Sequence, residues 1–153
     1  MQQSPDGIQR LWQQLARIKS YRYTSQPGVE SLSGWRGEGH GTVQVEKSDY
    51  EIQFHESGLF RPSSGKEVNS RNVFRWRKNG TTISLSHNRR DDPVHLFDLA
   101  PVSDIRWCSA TPHHCGEDVY CGELEIITTG FNLVWQINGP GKNETLCYFY
   151  CHE

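Results

Sequence analysis

The residues best able to do chemistry crowd the last third of the chain. His113, His114 and Cys115 stand just before Asp118 and Tyr120, with Cys108 and Cys121 to either side and Cys147, Cys151 and His152 near the C-terminus. Thiolates and imidazoles are zinc ligands, so this cluster makes a zinc-binding protein one alternative. Structural zinc sites, however, usually show paired short spacings, and the nearest candidates are Cys147-x-x-x-Cys151-His152 and His114-Cys115. Buried thiols and surface histidines are the plainer reading. A second set, His95, Asp118 and Tyr120, offers an imidazole, a carboxylate and a phenol. Those groups can orient a small ligand or serve as general base (His95 or Asp118) and acid (Tyr120) of a small barrel enzyme.

Other chemistries leave no mark. The chain has no G-x-S-x-G elbow and no phosphate-binding loop, and Gly37-Glu38-Gly39-His40-Gly41 is too polar and short for a dinucleotide fingerprint. In Arg71-Asn72-Val73-Phe74-Arg75-Trp76-Arg77-Lys78 the arginines share one strand parity and the aromatics the other. A single-stranded nucleic acid platform needs both on one face. The net charge of -2 with mixed signs gives no long-range attraction for nucleic acid or anionic lipid. Neither nucleic acid nor membrane is expected as a partner; a small-molecule ligand is, and the oligomeric state is left open.

At 153 residues, the chain fits one domain, 1–153, with one core. No apolar run of roughly 18 residues is present, and Met1 to Arg10 lacks a basic flank followed by an apolar stretch. The expectation is a cytoplasmic protein whose five cysteines stay reduced.

The elements that must position these residues are mostly strands. Ile8, Leu11, Trp12, Leu15 and Ile18 form one helical stripe after Ser4-Pro5-Asp6, which predicts a helix over Gly7 to Arg17. Beyond it the period becomes two, as in Val43/Val45, Tyr50/Ile52/Phe54, Phe74/Trp76, Ile83/Leu85, Leu133 to Ile137 and Leu146 to Tyr150. Turns are predicted at Glu56-Ser57-Gly58, Pro62 to Gly65, Asn79-Gly80, Arg90 to Pro93, Thr129-Gly130 and Asn138 to Gly141, and a long loop over Ser25 to Gly41. About eight to ten antiparallel strands then close into an up-and-down β-barrel, because closure removes unpaired edges, and the helix caps one end. Strand parity points His95 inward with Phe97 and Leu99, and Asp118 and Tyr120 inward with Leu124 and Ile126.

Several landmarks occur in the order of a known family. They are Phe54-His55-Glu56-Ser57-Gly58, Ser70 to Trp76, Pro93-Val94-His95-Leu96-Phe97, His113-x-Cys115, Asp118-x-Tyr120, Trp135 and Gly139-Pro140-x-Lys142. From about Leu11 to Tyr150 the chain resembles a lipocalin-like bacterial family, domain of unknown function six-three-one-four. It departs where the family's D-G-R reads Arg90-Asp91-Asp92 and where Gly141 and Asn143 replace an arginine and an aspartate. The resemblance implies a lipocalin- or calycin-like barrel and no reaction. Ligand binding follows by fold analogy.

The resulting expectation is a mainly β protein that binds a small, partly apolar ligand inside its barrel. Trp76, Trp135 and Phe97 would supply the wall, His95, Asp118 and Tyr120 the orientation, and Lys142 a charge at the rim. No cofactor is specified.

Overall fold

The computed structural model describes residues 6–27, 37–62, 65–89, 92–109, 113–115, 117–140 and 142–153. Among these residues one helix, α1 (Asp6–Ala16), precedes eleven strands. These are β1 (Ser20–Pro27), β2 (Gly37–Lys47), β3 (Glu51–Pro62), β4 (Val68–Asn79), β5 (Thr82–Arg89), β6 (Asp92–Pro101), β7 (Arg106–Ser109), β8 (His113–Cys115), β9 (Asp118–Ile127), β10 (Gly130–Gly139) and β11 (Lys142–Cys151). Each pairs antiparallel with its sequence neighbours, except that β9 pairs with β7 and short β8 adds beside them. The pairings β9–β10 and β1–β11 close the ring, giving the up-and-down barrel that the alternation predicts.

Alternation dictates what fills it. Phe54, Phe74, Trp76, Phe97, Trp107, Phe131 and Tyr150 are all at most 3 % exposed, and each but Phe97, which follows the fully buried Leu96, is flanked along its strand by outward residues or a turn. The helix seals one end with its predicted stripe: Leu11 and Leu15 are fully buried, and the Lys78 ammonium lies 4.6 Å from the centre of the Trp12 ring. The segment after α1 is stitched to the barrel by Lys19 N to Cys151 O (2.8 Å) and Val43 N to Lys19 O (2.9 Å). Among the described residues no helix is long and apolar enough to cross a membrane.

The turn readings meet mixed outcomes. Asn79 pairs with Thr82, so the two-residue hairpin loop is Gly80-Thr81, one residue later than expected, with Gly80 at φ 62°. Glu56-Ser57-Gly58 is not a turn; it lies in mid-β3, opposite Gly41 to Val43 of β2. A Cβ on Gly58 would fall 2.0 Å from the His40 carbonyl oxygen, and one on Gly41 2.2 Å from that of Ser57. The glycines are there for close backbone approach rather than chain reversal. The expected loop over Ser25 to Gly41 is shorter, because its two ends belong to β1 and β2; residues 28–36, Trp35 among them, lie outside the described residues.

Gly58→Ala is expected to cost about 1–3 kcal/mol, because His40 and Gly41 must move to admit the methyl group. Gly65→Ala, whose added carbon would meet only Pro62 Cγ at 3.6 Å, is expected to be within about 0.5 kcal/mol of neutral. Urea unfolding of both variants checks the contrast.

Candidate functional site

On β3 the inward positions run Ile52, Phe54, Glu56, Gly58, Phe60, so one carboxylate falls on an otherwise apolar face. Glu56 is 2 % exposed, and Ser25 is the other buried polar residue among those described. Its neighbours in the register are Val43 of β2 and Asn72 of β4. Across the barrel stand the inward tyrosines of β1 and β11: Tyr21 pairs with Tyr150, and Tyr23 with Tyr148. Spacing of two along each strand puts all four on one side, where their rings stack, with 4.9 Å between the centres of Tyr23 and Tyr148 and 5.4 Å between Tyr148 and Tyr150.

The Tyr150 hydroxyl donates to Glu56 Oε2 at 2.6 Å, while Oε1 has no hydrogen-bond partner among the described residues. Burial raises the Glu56 carboxyl from the ordinary 4.5 to about 8, and the Tyr150 hydrogen bond opposes only part of that shift. Burial, and then the nearby Glu56 charge, holds Tyr148 and Tyr150 well above the usual tyrosine value. At neutral pH the cluster is therefore an uncharged carboxyl among phenols.

The residues expected at the site divide. Trp76 and Phe97 are fully buried and Trp135 is 5 % exposed, all inside the barrel. Tyr120 is also inside, its ring centre 6.4 Å from that of Trp135, and Asp118 lies half-buried beside Gly139 at the end away from the helix. His95 is not with them. Leu85 pairs with Phe97 but Ser86 pairs with His95, leaving Leu96 as an extra residue; this bulge resets the parity and turns His95 outward. There His95 Nε2 bonds Asp98 Oδ1 at 2.8 Å, and Ser84 Oγ donates to the same oxygen at 2.5 Å. Asp98 sits between the two, so His95 is not placed to take the Ser84 proton. Lys142 pairs through its backbone with Gly139, and its side chain lies outside the described residues.

The cysteine cluster also spreads. Cys108, Cys121 and Cys151 are free thiols of intermediate burial and Cys147 is a free, exposed one, not the buried thiols expected. Parity is the reason: Trp107, Tyr120, Tyr148 and Tyr150 beside them take the inward positions. Cys147 and Cys151 lie four residues apart on β11. That is roughly 13 Å of strand, too far for one zinc ion. Among the described residues no group of three or more histidines, cysteines and carboxylates could hold a metal, and the side chains of His113, His114 and Cys115 fall outside them.

Two concave regions involve outward residues. One, of about 790 Å³, is bordered by Arg22, His40, Leu59, Arg61 and Phe149 and reaches the inward Tyr23 and Tyr148. Its charges are partly matched, with Arg61 2.9 Å from Glu67 and the Arg22 guanidinium 5.8 Å from the Phe149 ring centre. The other, of about 840 Å³, includes Gln44, His55, Arg71 and Arg75. Glu51 partly neutralises Arg75 at 3.6 Å. This second concavity is also bordered by Glu56 and Asn88, and with Arg75 these carry three of the buried side-chain polar atoms that lack partners among the described residues.

The raised Glu56 value fixes a pH dependence. Below pH 4.5 both folded and unfolded chains hold the proton; between there and about pH 8 the unfolded chain releases it while the folded chain keeps it. Stability therefore falls as pH rises through that window, by a few kcal/mol. Glu56→Gln is expected to lack this component, so that its denaturation midpoint gains on the parent between pH 5 and pH 8.5. Paired urea titrations at the two pH values check this.

Comparison with curated proteins and with solved structures finds no match. The model of a family of unknown function, DUF6314, matches residues 14–152, which takes in the whole barrel and the end of the capping helix. A closed antiparallel barrel with its landmarks in family order, matched over nearly its full length, places the chain in the DUF6314 family.

Proposed function

We propose that the protein binds one small, largely apolar molecule inside the barrel, with the Glu56–Tyr150 pair as its polar anchor. The observation that carries this reading is Glu56 Oε1, buried in an aromatic interior and without a partner among the described residues. An unmet buried polar group costs about 1–3 kcal/mol, and a leucine of similar size would remove that cost. Destabilising polarity kept inside a core is a common mark of function. Phe54, Trp76, Phe131 and Trp135 give the ligand apolar walls, with Phe97 and Tyr120 nearer the end away from the helix. Glu56 takes the orienting role that strand parity had assigned to His95.

N-phenyl-1-naphthylamine, a neutral apolar fluorophore, is expected to bind saturably with one molecule per chain and to raise the thermal midpoint by mass action. Leu133→Trp, which fills an interior position 1 % exposed, should abolish binding, and Leu59→Asp on the outer surface should leave it intact. Absence of binding, or binding lost only with Leu59→Asp, contradicts an interior site.

A further inference from the structure

Three buried side-chain polar atoms within the barrel lack partners among the described residues: Glu56 Oε1, Trp76 Nε1 and Trp135 Nε1. Two more such atoms, besides the Tyr21 hydroxyl discussed below, belong to residues of outward parity, Arg75 and Asn88, which border the concavity of about 840 Å³. The inward three have a common chemistry. An indole nitrogen is a donor only. The glutamate is a donor at neutral pH, because burial keeps its proton to about pH 8 and Tyr150 already donates to Oε2, which leaves the proton on Oε1. The Tyr21 hydroxyl, with Ser70 beside it, adds a further potential donor.

These atoms belong to one connected aromatic lining. The Trp76 ring centre lies 5.9 Å from that of Phe131, which is 4.8 Å from Tyr150; Tyr148 continues the chain, 5.4 Å from Tyr150 and 6.4 Å from Trp135. From these contacts and the common donor chemistry we infer that the interior is matched to an uncharged, ring-sized apolar molecule carrying hydrogen-bond acceptor oxygens, such as a ketone, quinone, ester or lactone. This rests on the interior-binding reading and narrows it to a ligand class.

The charge balance excludes the alternatives. The buried polar or charged residues described are Ser25 and Glu56, and Arg75, of outward parity, lies 3.6 Å from Glu51, so among the described residues no inward lysine or arginine neutralises an anion. A hydrogen-bonding cation would need acceptors, whereas the unmet inward groups donate, and while Glu56 is neutral the aromatic faces alone would have to offset the cation's desolvation. The titratable groups facing Glu56 are Tyr21 and Tyr23 from β1 and Tyr148 and Tyr150 from β11. On β4 and β5, His87 Nε2 lies 3.0 Å from Oδ1 of Asn72, the residue opposite Glu56. Once Glu56 ionises, Oε1 becomes an acceptor and loses the match, so affinity for a neutral acceptor falls above about pH 8 and affinity for an ammonium rises.

Four naphthalene probes of one shape test this at pH 6.5 and pH 9, read by tryptophan fluorescence and by side-chain chemical shifts of the intact protein. They are 2-acetylnaphthalene, 2-isopropylnaphthalene, 1-(2-naphthyl)ethylammonium and 2-naphthoate. The acetyl compound is expected to bind about tenfold tighter than the isopropyl compound at pH 6.5, the effect of one satisfied buried hydrogen bond. Glu56→Leu should remove that preference and Glu56→Gln, which keeps a donor, should retain much of it; Tyr150→Phe gives a third variant if either folds poorly. Equal binding of the acetyl and isopropyl probes, or preference for the ammonium or the naphthoate, overturns the ligand class while leaving an interior site in place. Failure of all four to bind, as when interior water satisfies the donors, overturns the ligand class and the binding reading together.

Discussion

Closure of a sheet whose side chains alternate forces half of each strand into one shared interior. The β9–β10 and β1–β11 pairings complete the ring, and every inward residue then meets residues from distant strands. Phe54 of β3 thus packs against Phe131 of β10 and Tyr150 of β11, neither of which neighbours it in the sheet. Helix α1 follows from the same constraint, since its apolar stripe must cover whichever barrel end the short connections leave open to it.

Within that interior, one interaction runs against the rest. Aromatic packing lowers the local dielectric response, which strengthens the Tyr150–Glu56 hydrogen bond and at the same time penalises a charge on Glu56. The outcome is a neutral carboxyl whose second oxygen has no hydrogen-bond partner among the described residues. The fold tolerates it because the surrounding rings are extensively packed. The same feature gives an otherwise apolar interior one directional polar group.

Architecture was largely legible in the sequence, because helix and strand periods are read directly from apolar spacing, and the resemblance covered nearly the whole chain. Parity failed where backbone irregularity intervened. The extra residue Leu96 turns His95 outward, and no local composition announces that bulge. Gly58 read as a turn, yet its small size serves the approach of β2 to β3. That one misreading cut β3 short and hid Glu56, although Ile52-x-Phe54-x-Glu56 carried the needed signal, a carboxylate on an apolar parity. Tyr21, Tyr23, Tyr148 and Tyr150 show the same period of two, but their convergence depends on β1 pairing with β11, a long-range contact that local spacing does not encode.

The central claim, that the barrel holds a protonated glutamate against its tyrosine, is tested most directly by the side-chain carboxyl carbon shift of Glu56, followed by nuclear magnetic resonance from pH 3 to pH 10. The signal is assigned by its loss in Glu56→Gln. A midpoint near pH 8 is the predicted result; a midpoint near the ordinary 4.5 would mean a solvated carboxylate and contradict the account.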